Sequence, residues 1–134
     1  MKWTDAQQSA IDAPRPGQLP SQTILVSAAA GSGKTAVLVE RMIQRLKRRE
    51  LSIQELMVVT FTKAAAAEMK ARIGMKLAEE FQATGDAYLE EQLNMLPSAH
   101  ISTLHSFCQW VIRSYFYKLD IDPSFTIGNE GELA

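Results

Sequence analysis

The run Ala28-Ala29-Ala30-Gly31-Ser32-Gly33-Lys34-Thr35 constrains the fold more tightly than any other part of this chain. Before it lies Thr23-Ile24-Leu25-Val26-Ser27, an apolar, β-branched segment that reads as a strand over about 23–28. After it, Ala36-Val37-Leu38-Val39-Glu40-Arg41-Met42 opens a helix expected over about 34–49. Strand, small-residue turn and helix N-terminus form the setting that a phosphate-binding loop requires. Gly31 and Gly33 let the backbone approach an anion and adopt conformations closed to other residues. The N–H groups of the turn then point at phosphate oxygens, and the helix dipole favours negative charge there. Lys34 would reach the β- and γ-phosphates, and the Thr35 hydroxyl would ligate Mg²⁺. Ala28 stands where the usual pattern has its first glycine, and alanine also allows a tight turn. The competing reading, a chance glycine-rich turn, is disfavoured because Gly-Lys-Thr falls between strand and helix. The expectation is a nucleoside triphosphate site over Ala28–Thr35.

The rest of the chain reads as one α/β domain. Thr4 is a suitable N-cap for a short helix through Ile11. The proline-rich stretch 13–20 is not helical. Leu56-Met57-Val58-Val59-Thr60-Phe61 is a continuous apolar run typical of a buried parallel strand. Helices are expected over about 63–81, 87–95 and 104–118, with a further strand at 99–103. The last helix carries an apolar stripe of Phe107, Val111 and Phe116. Strands alternating with helices imply a three-layer fold around a parallel sheet. A phosphate-loop enzyme also needs an acid at the end of a later strand to hold Mg²⁺. Glu79-Glu80 and Glu90-Glu91 lie in helical patterns instead, and Asp120 and Asp122 lie in a turn. The chain therefore reads as the N-terminal part of a longer ATPase, ending before its metal-binding acid.

Composition narrows the setting. A net charge of −1 leaves no global basic footprint, so contact with nucleic acid must rest on local patches. No apolar run approaches a membrane span, and the single cysteine, Cys108, rules out an internal disulfide. A cytoplasmic protein without membrane association is expected. The arginines concentrated in 41–49 read as a solvated helix face.

Three further segments carry chemistry. Gln7 offers both an amide donor and an acceptor, the pair that reads adenine N6 and N7, although a glutamine on an N-terminal helix is commonly solvent-exposed. Thr60-Phe61-Thr62-Lys63 lies where a strand passes into an alanine-rich helix. Parallel sheets bind ligands at that end of their strands, so Phe61 is either a base-stacking aromatic or a core residue. Ile101-Ser102-Thr103-Leu104-His105-Ser106 repeats the arrangement, with Thr103 and Ser106 able to donate to a phosphate. His105 has no catalytic partner nearby in sequence, and neither has Cys108.

In this order the segments resemble the early motifs of superfamily 1 DNA helicases of the UvrD/Rep type. Thr4-Asp5-Ala6-Gln7 is similar to the adenine-reading Q motif, Ala28–Thr35 to motif I, Thr60–Met69 to motif Ia and Ile101–Cys108 to motif Ib. Trp3-Thr4-Asp5-Ala6-Gln7, the alanine stretch 64–67 and Tyr115–Phe125 narrow the resemblance to the AddA family of bacterial AddAB helicase–nucleases. The resemblance implies a three-layer RecA-like fold, with residues 1–134 the N-terminal part of the first RecA-like ATP-binding domain, before the Walker B motif. It implies ATP and Mg²⁺ as cofactors and an iron–sulfur cluster in the C-terminal nuclease part. DNA and an AddB-like partner follow, as does work in bacterial double-strand break repair. Gln7 and Ala28, Ala29, Ala30, Gly31, Ser32, Gly33, Lys34 and Thr35 would hold ATP, with Lys34 and Thr35 catalytic. Thr60, Phe61, Thr62, Lys63, Thr103 and His105 would line the DNA path. Lys63 departs from the family, which commonly has Asn there. The alternatives are a small phosphate-loop kinase, which would carry an arginine-rich lid, and a non-catalytic binding module.

Overall fold

A computed structural model describes residues 2–14 and 23–128. Helix α1 (Asp5–Asp12) starts at Thr4, whose hydroxyl accepts from the Gln7 N–H while the Gln7 side chain accepts from the Thr4 N–H, a reciprocal cap. Helix α2 (Lys34–Lys47) begins directly after Gly33. Its residues Val39, Met42, Ile43 and Leu46, spaced by three and four, form the buried stripe.

Two strands follow, β1 (Met57–Thr60) and β2 (His100–Thr103), joined through helices α3 (Lys63–Thr84) and α4 (Ala87–Met95). The strands pair in parallel, Met57 opposite His100 and Thr60 opposite Thr103. Because side chains alternate across a strand, Val58 and Ile101 share one face and Met57, Val59, His100 and Ser102 the other. The first face packs on Met69, Ile73 and Leu77 of α3, and this cluster continues into Ile43 and Leu46 of α2 and Leu89 of α4. On the second face the His100 ring meets Phe107 and Trp110 of helix α5 (Leu104–Leu119). Helix, sheet and helix are thus layered around β2. Buried Gln92 ties α4 to the turn before β1, its side-chain oxygen accepting from the Ile53 N–H at 2.7 Å.

The strand expected over 23–28 is not formed: residues 23–29 are irregular, and Leu25 is 90% exposed. A strand needs a hydrogen-bonded neighbour, and among the described residues β1 pairs with β2. The sheet therefore has two described strands where three were expected. Helices α2, α3, α4 and α5 fall within three residues of their expected bounds. The stripe on α5 is only half-buried, and the helix bends at Tyr115, whose backbone leaves the helical region (φ −123°, ψ 22°). Of the proline-rich stretch 13–20, residues 13 and 14 are non-helical and 15–20 lie outside the described residues.

Candidate functional site

The loop Ala28–Thr35 turns through two left-handed glycines, Gly31 at φ +77° and Gly33 at φ +84°. Any other L-residue would be strained at either position. Between them the Ser32 N–H donates to the Ala29 carbonyl at 3.2 Å, which closes the turn. The Ser32 hydroxyl is buried without a partner among the described residues. Gly33 leads straight into α2, so the free N–H groups of that helix open onto the loop. Lys34 extends back across the loop, its ammonium donating to the carbonyls of Ala28 and Ala29, the latter at 3.2 Å. Thr35 is exposed on the first turn of α2.

Gln7 is brought to this loop from 25 residues away, its amide nitrogen donating to the Ser32 carbonyl at 3.2 Å. The contact is close: a Cβ placed on Gly33 would lie 3.3 Å from that nitrogen. Since the Gln7 amide oxygen also accepts from the Thr4 N–H at 2.9 Å, the side chain is held at both ends. A primary amide has two donor hydrogens and two acceptor lone pairs. One of each remains, the complement of adenine N7 and N6. A cavity of about 360 Å³ lies here, lined by Gln7, Ala10, Ile24, Val26, Ala28, Ser32 and Lys34 among others.

The second group of expected residues gathers at the C-terminal edge of the sheet. Because Thr60 and Thr103 are paired, the segments that follow them, Phe61–Lys63 and Leu104–His105, leave the sheet side by side. Phe61 is 100% exposed, so it takes no part in the core that the described residues form. Thr62 caps α3, its hydroxyl accepting from the Ala65 N–H at 3.1 Å, and Thr60 donates to the Thr62 carbonyl at 2.9 Å. Lys63 and His105 are exposed. Thr103 is buried, and its hydroxyl is occupied in capping α5: it accepts from the Ser106 N–H at 3.2 Å and donates to the Ser106 hydroxyl at 2.9 Å. The cavity at the loop is lined by no residue of β1 or β2.

The arginines of α2 do not form a simple solvated face. Arg41 and Arg45 are half-buried and donate to carbonyls at the end of α1. Burial pulls the Arg41 pKa below its ordinary value; nearby Arg45 adds to this and Glu50 opposes it. The signal available in the sequence is their spacing at i and i+4 behind a short capped helix.

The glycine turn, the lysine across it and the helix N-terminus are an arrangement that a triphosphate fits. With Cys108 as its single cysteine, the chain does not offer the set of thiolates that holds an iron–sulfur cluster. Among the described residues no group of three or more His, Cys, Asp and Glu is placed to hold a metal ion, and no helix is long and apolar enough to cross a membrane.

Several bacterial proteins are similar to the chain over nearly its whole length. An ATP-dependent helicase/nuclease subunit of Geobacillus kaustophilus is 56% identical over 98% of the chain and 10% of its own length. Its counterparts in Moorella thermoacetica and Bacillus licheniformis are 53% and 52% identical over 98% of the chain, which covers 9% and 11% of them. The chain thus spans about a tenth of the length of the curated relatives it matches. Residues 3–133 match the UvrD/REP helicase N-terminal domain, and the chain belongs to that family.

Proposed function

We propose that the chain is the ATP-binding part of an ATP-dependent DNA helicase/nuclease, and that it forms the beginning of a RecA-like motor domain. The observation that carries the reading is the meeting of Gln7 with the glycine loop, which joins a base-reading amide to a phosphate cradle. A metabolite kinase gains no support from the arginines, because Arg41 and Arg45 hold α1 and do not form a lid.

Each residue then has a physical task. The free N–H groups of the first turn of α2, after Gly33, would bind the phosphates, and Lys34 would exchange its loop carbonyls for the β- and γ-oxygens. Its charge would stabilise the transferring phosphoryl group. Mg²⁺–ATP would supply that group, and the exposed Thr35 hydroxyl would help hold the metal. Gln7 selects the base. At the sheet edge, exposed Phe61 offers a stacking surface to a single-stranded base, and Lys63 with His105 meets the backbone. Thr62 and Thr103 support this edge as helix caps. The substrate is DNA at double-strand breaks in the bacterial cytoplasm, and an AddB-like protein is the partner.

The test is steady-state ATP hydrolysis by the full-length protein, with and without single-stranded DNA, beside Lys34→Ala. The expected result is hydrolysis stimulated by DNA and abolished in the variant. Hydrolysis indifferent to DNA, or retained without Lys34, overturns the reading.

A further inference from the structure

Arg41, Arg45 and Arg48 recur at i, i+4 and i+7 along α2 and its C-cap, and all three turn toward the C-terminal end of α1. The two N–H bonds of Arg41 Nη1 are shared among the carbonyl oxygens of Ala10 (3.1 Å), Ile11 (3.2 Å) and Ala13. The Arg45 Nη2 donates to Ala13 at 3.0 Å, and Arg48 approaches the Asp12 carboxylate at 3.7 Å. The last carbonyls of a helix have no partner within it and carry the negative end of its dipole. A guanidinium meets both needs, and its planar fork does so with a fixed geometry that an ammonium lacks.

Helix α1 needs such an anchor. At eight residues it is too short to hold its shape alone. Ile11 is its buried apolar residue, and one side chain does not define a rotation about the helix axis. Gln7 lies one turn before Ala10 and Ile11, so fixing those two carbonyls fixes the direction in which Gln7 leaves the helix. The narrow approach of its amide to Gly33 leaves little room for error.

The geometry points to Arg41, assisted by Arg45, as a positioning residue for base selection: it locks the rotation of α1 and so keeps the Gln7 amide seated on the Ser32 carbonyl. The inference rests on the reading of Gln7 as the adenine contact. Arg41 touches no nucleotide and acts through α1.

The experiment measures kcat and KM for ATP and for GTP in the full-length protein at saturating single-stranded DNA. Gln7→Ala should raise the KM for ATP about tenfold, the loss expected for one well-placed amide–adenine pair, and leave GTP little changed. Arg41→Gln should reproduce that selective rise with kcat retained, and the double variant should be no worse than Gln7→Ala alone. Should Arg41→Gln fail to fold, Arg45→Gln decides, with a smaller rise of the same selectivity. A loss shared equally by ATP and GTP, or an unchanged ATP/GTP ratio beside an altered Gln7→Ala, overturns the positioning role. An unchanged ratio in Gln7→Ala itself overturns the adenine reading instead, and the positioning role with it.

Discussion

Phe61→Ala separates a binding platform from a structural aromatic, because the two roles predict opposite readouts. Phe61 is 100% exposed in this chain, so its truncation uncovers no surface that the folding of these residues had buried. At about 25 cal/mol per Å² of buried apolar area, the transfer contribution is near zero, and stability should move by less than about 0.5 kcal/mol. A core phenylalanine would instead cost about 3–5 kcal/mol. If a base stacks on the ring, binding loses about 1–3 kcal/mol, or roughly 5- to 150-fold in Kd. The assay is fluorescence anisotropy of a labelled single-stranded oligonucleotide on the full-length protein at constant nucleotide, beside urea unfolding of the same variant. An unchanged Kd would refute the stacking role, and a stability loss of the core size would refute the exposure on which it rests.

Lys63 sits at the first position of α3, where the dipole opposes a cation, so its charge adds nothing to helix stability. Lys63→Ala should leave folding intact and flatten the slope of log Kd against log salt by about 0.7 on single-stranded DNA; an unchanged slope removes Lys63 from the phosphate contacts. Gln92→Leu keeps the buried volume but strands the Ile53 N–H, whose partner is the Gln92 oxygen. Urea unfolding of the chain should show a loss of about 1–3 kcal/mol, and a neutral result would mean that water or a shift of the turn replaces the bond.

The helices are legible in the sequence because their signals are local. Thr4 marks the start of α1, and Val37, Met42 and Leu46 mark the buried side of α2, although Leu38 beside them is exposed and the caps at Thr62 and Thr103 are not read from the sequence. The glycine loop is legible for the same reason, since its left-handed turns need Gly31 and Gly33 whatever surrounds them. Residues 23–28 depart from expectation because strand formation depends on a neighbour, which Ile24 and Val26 cannot specify by themselves. Phe61 is ambiguous in sequence, for an aromatic at a strand end suits a core and a surface equally. Thr103 reads as a phosphate donor from its place at a strand end, yet burial and the Ser106 N–H claim its hydroxyl. The arginines are misread as a solvated face because their partners are backbone carbonyls on another helix, and their i, i+4 spacing does not name such partners.

Under the proposed function, the bond from Gln7 to the Ser32 carbonyl would make base recognition and phosphate recognition thermodynamically reciprocal. On the proposed reading, a loop that tightens around phosphate would carry Ser32 with it, and with Ser32 the seat of the amide that would read the base. By linkage, the free energy by which a correct base steadies the loop equals the free energy by which a gripped phosphate steadies the base contact. Loss of the terminal phosphate is then felt at the opposite end of the nucleotide without any rearrangement of the sheet. A product diphosphate should be sensed as a poorer adenine as well as a shorter chain of phosphates, so that both ends loosen together when the nucleotide leaves.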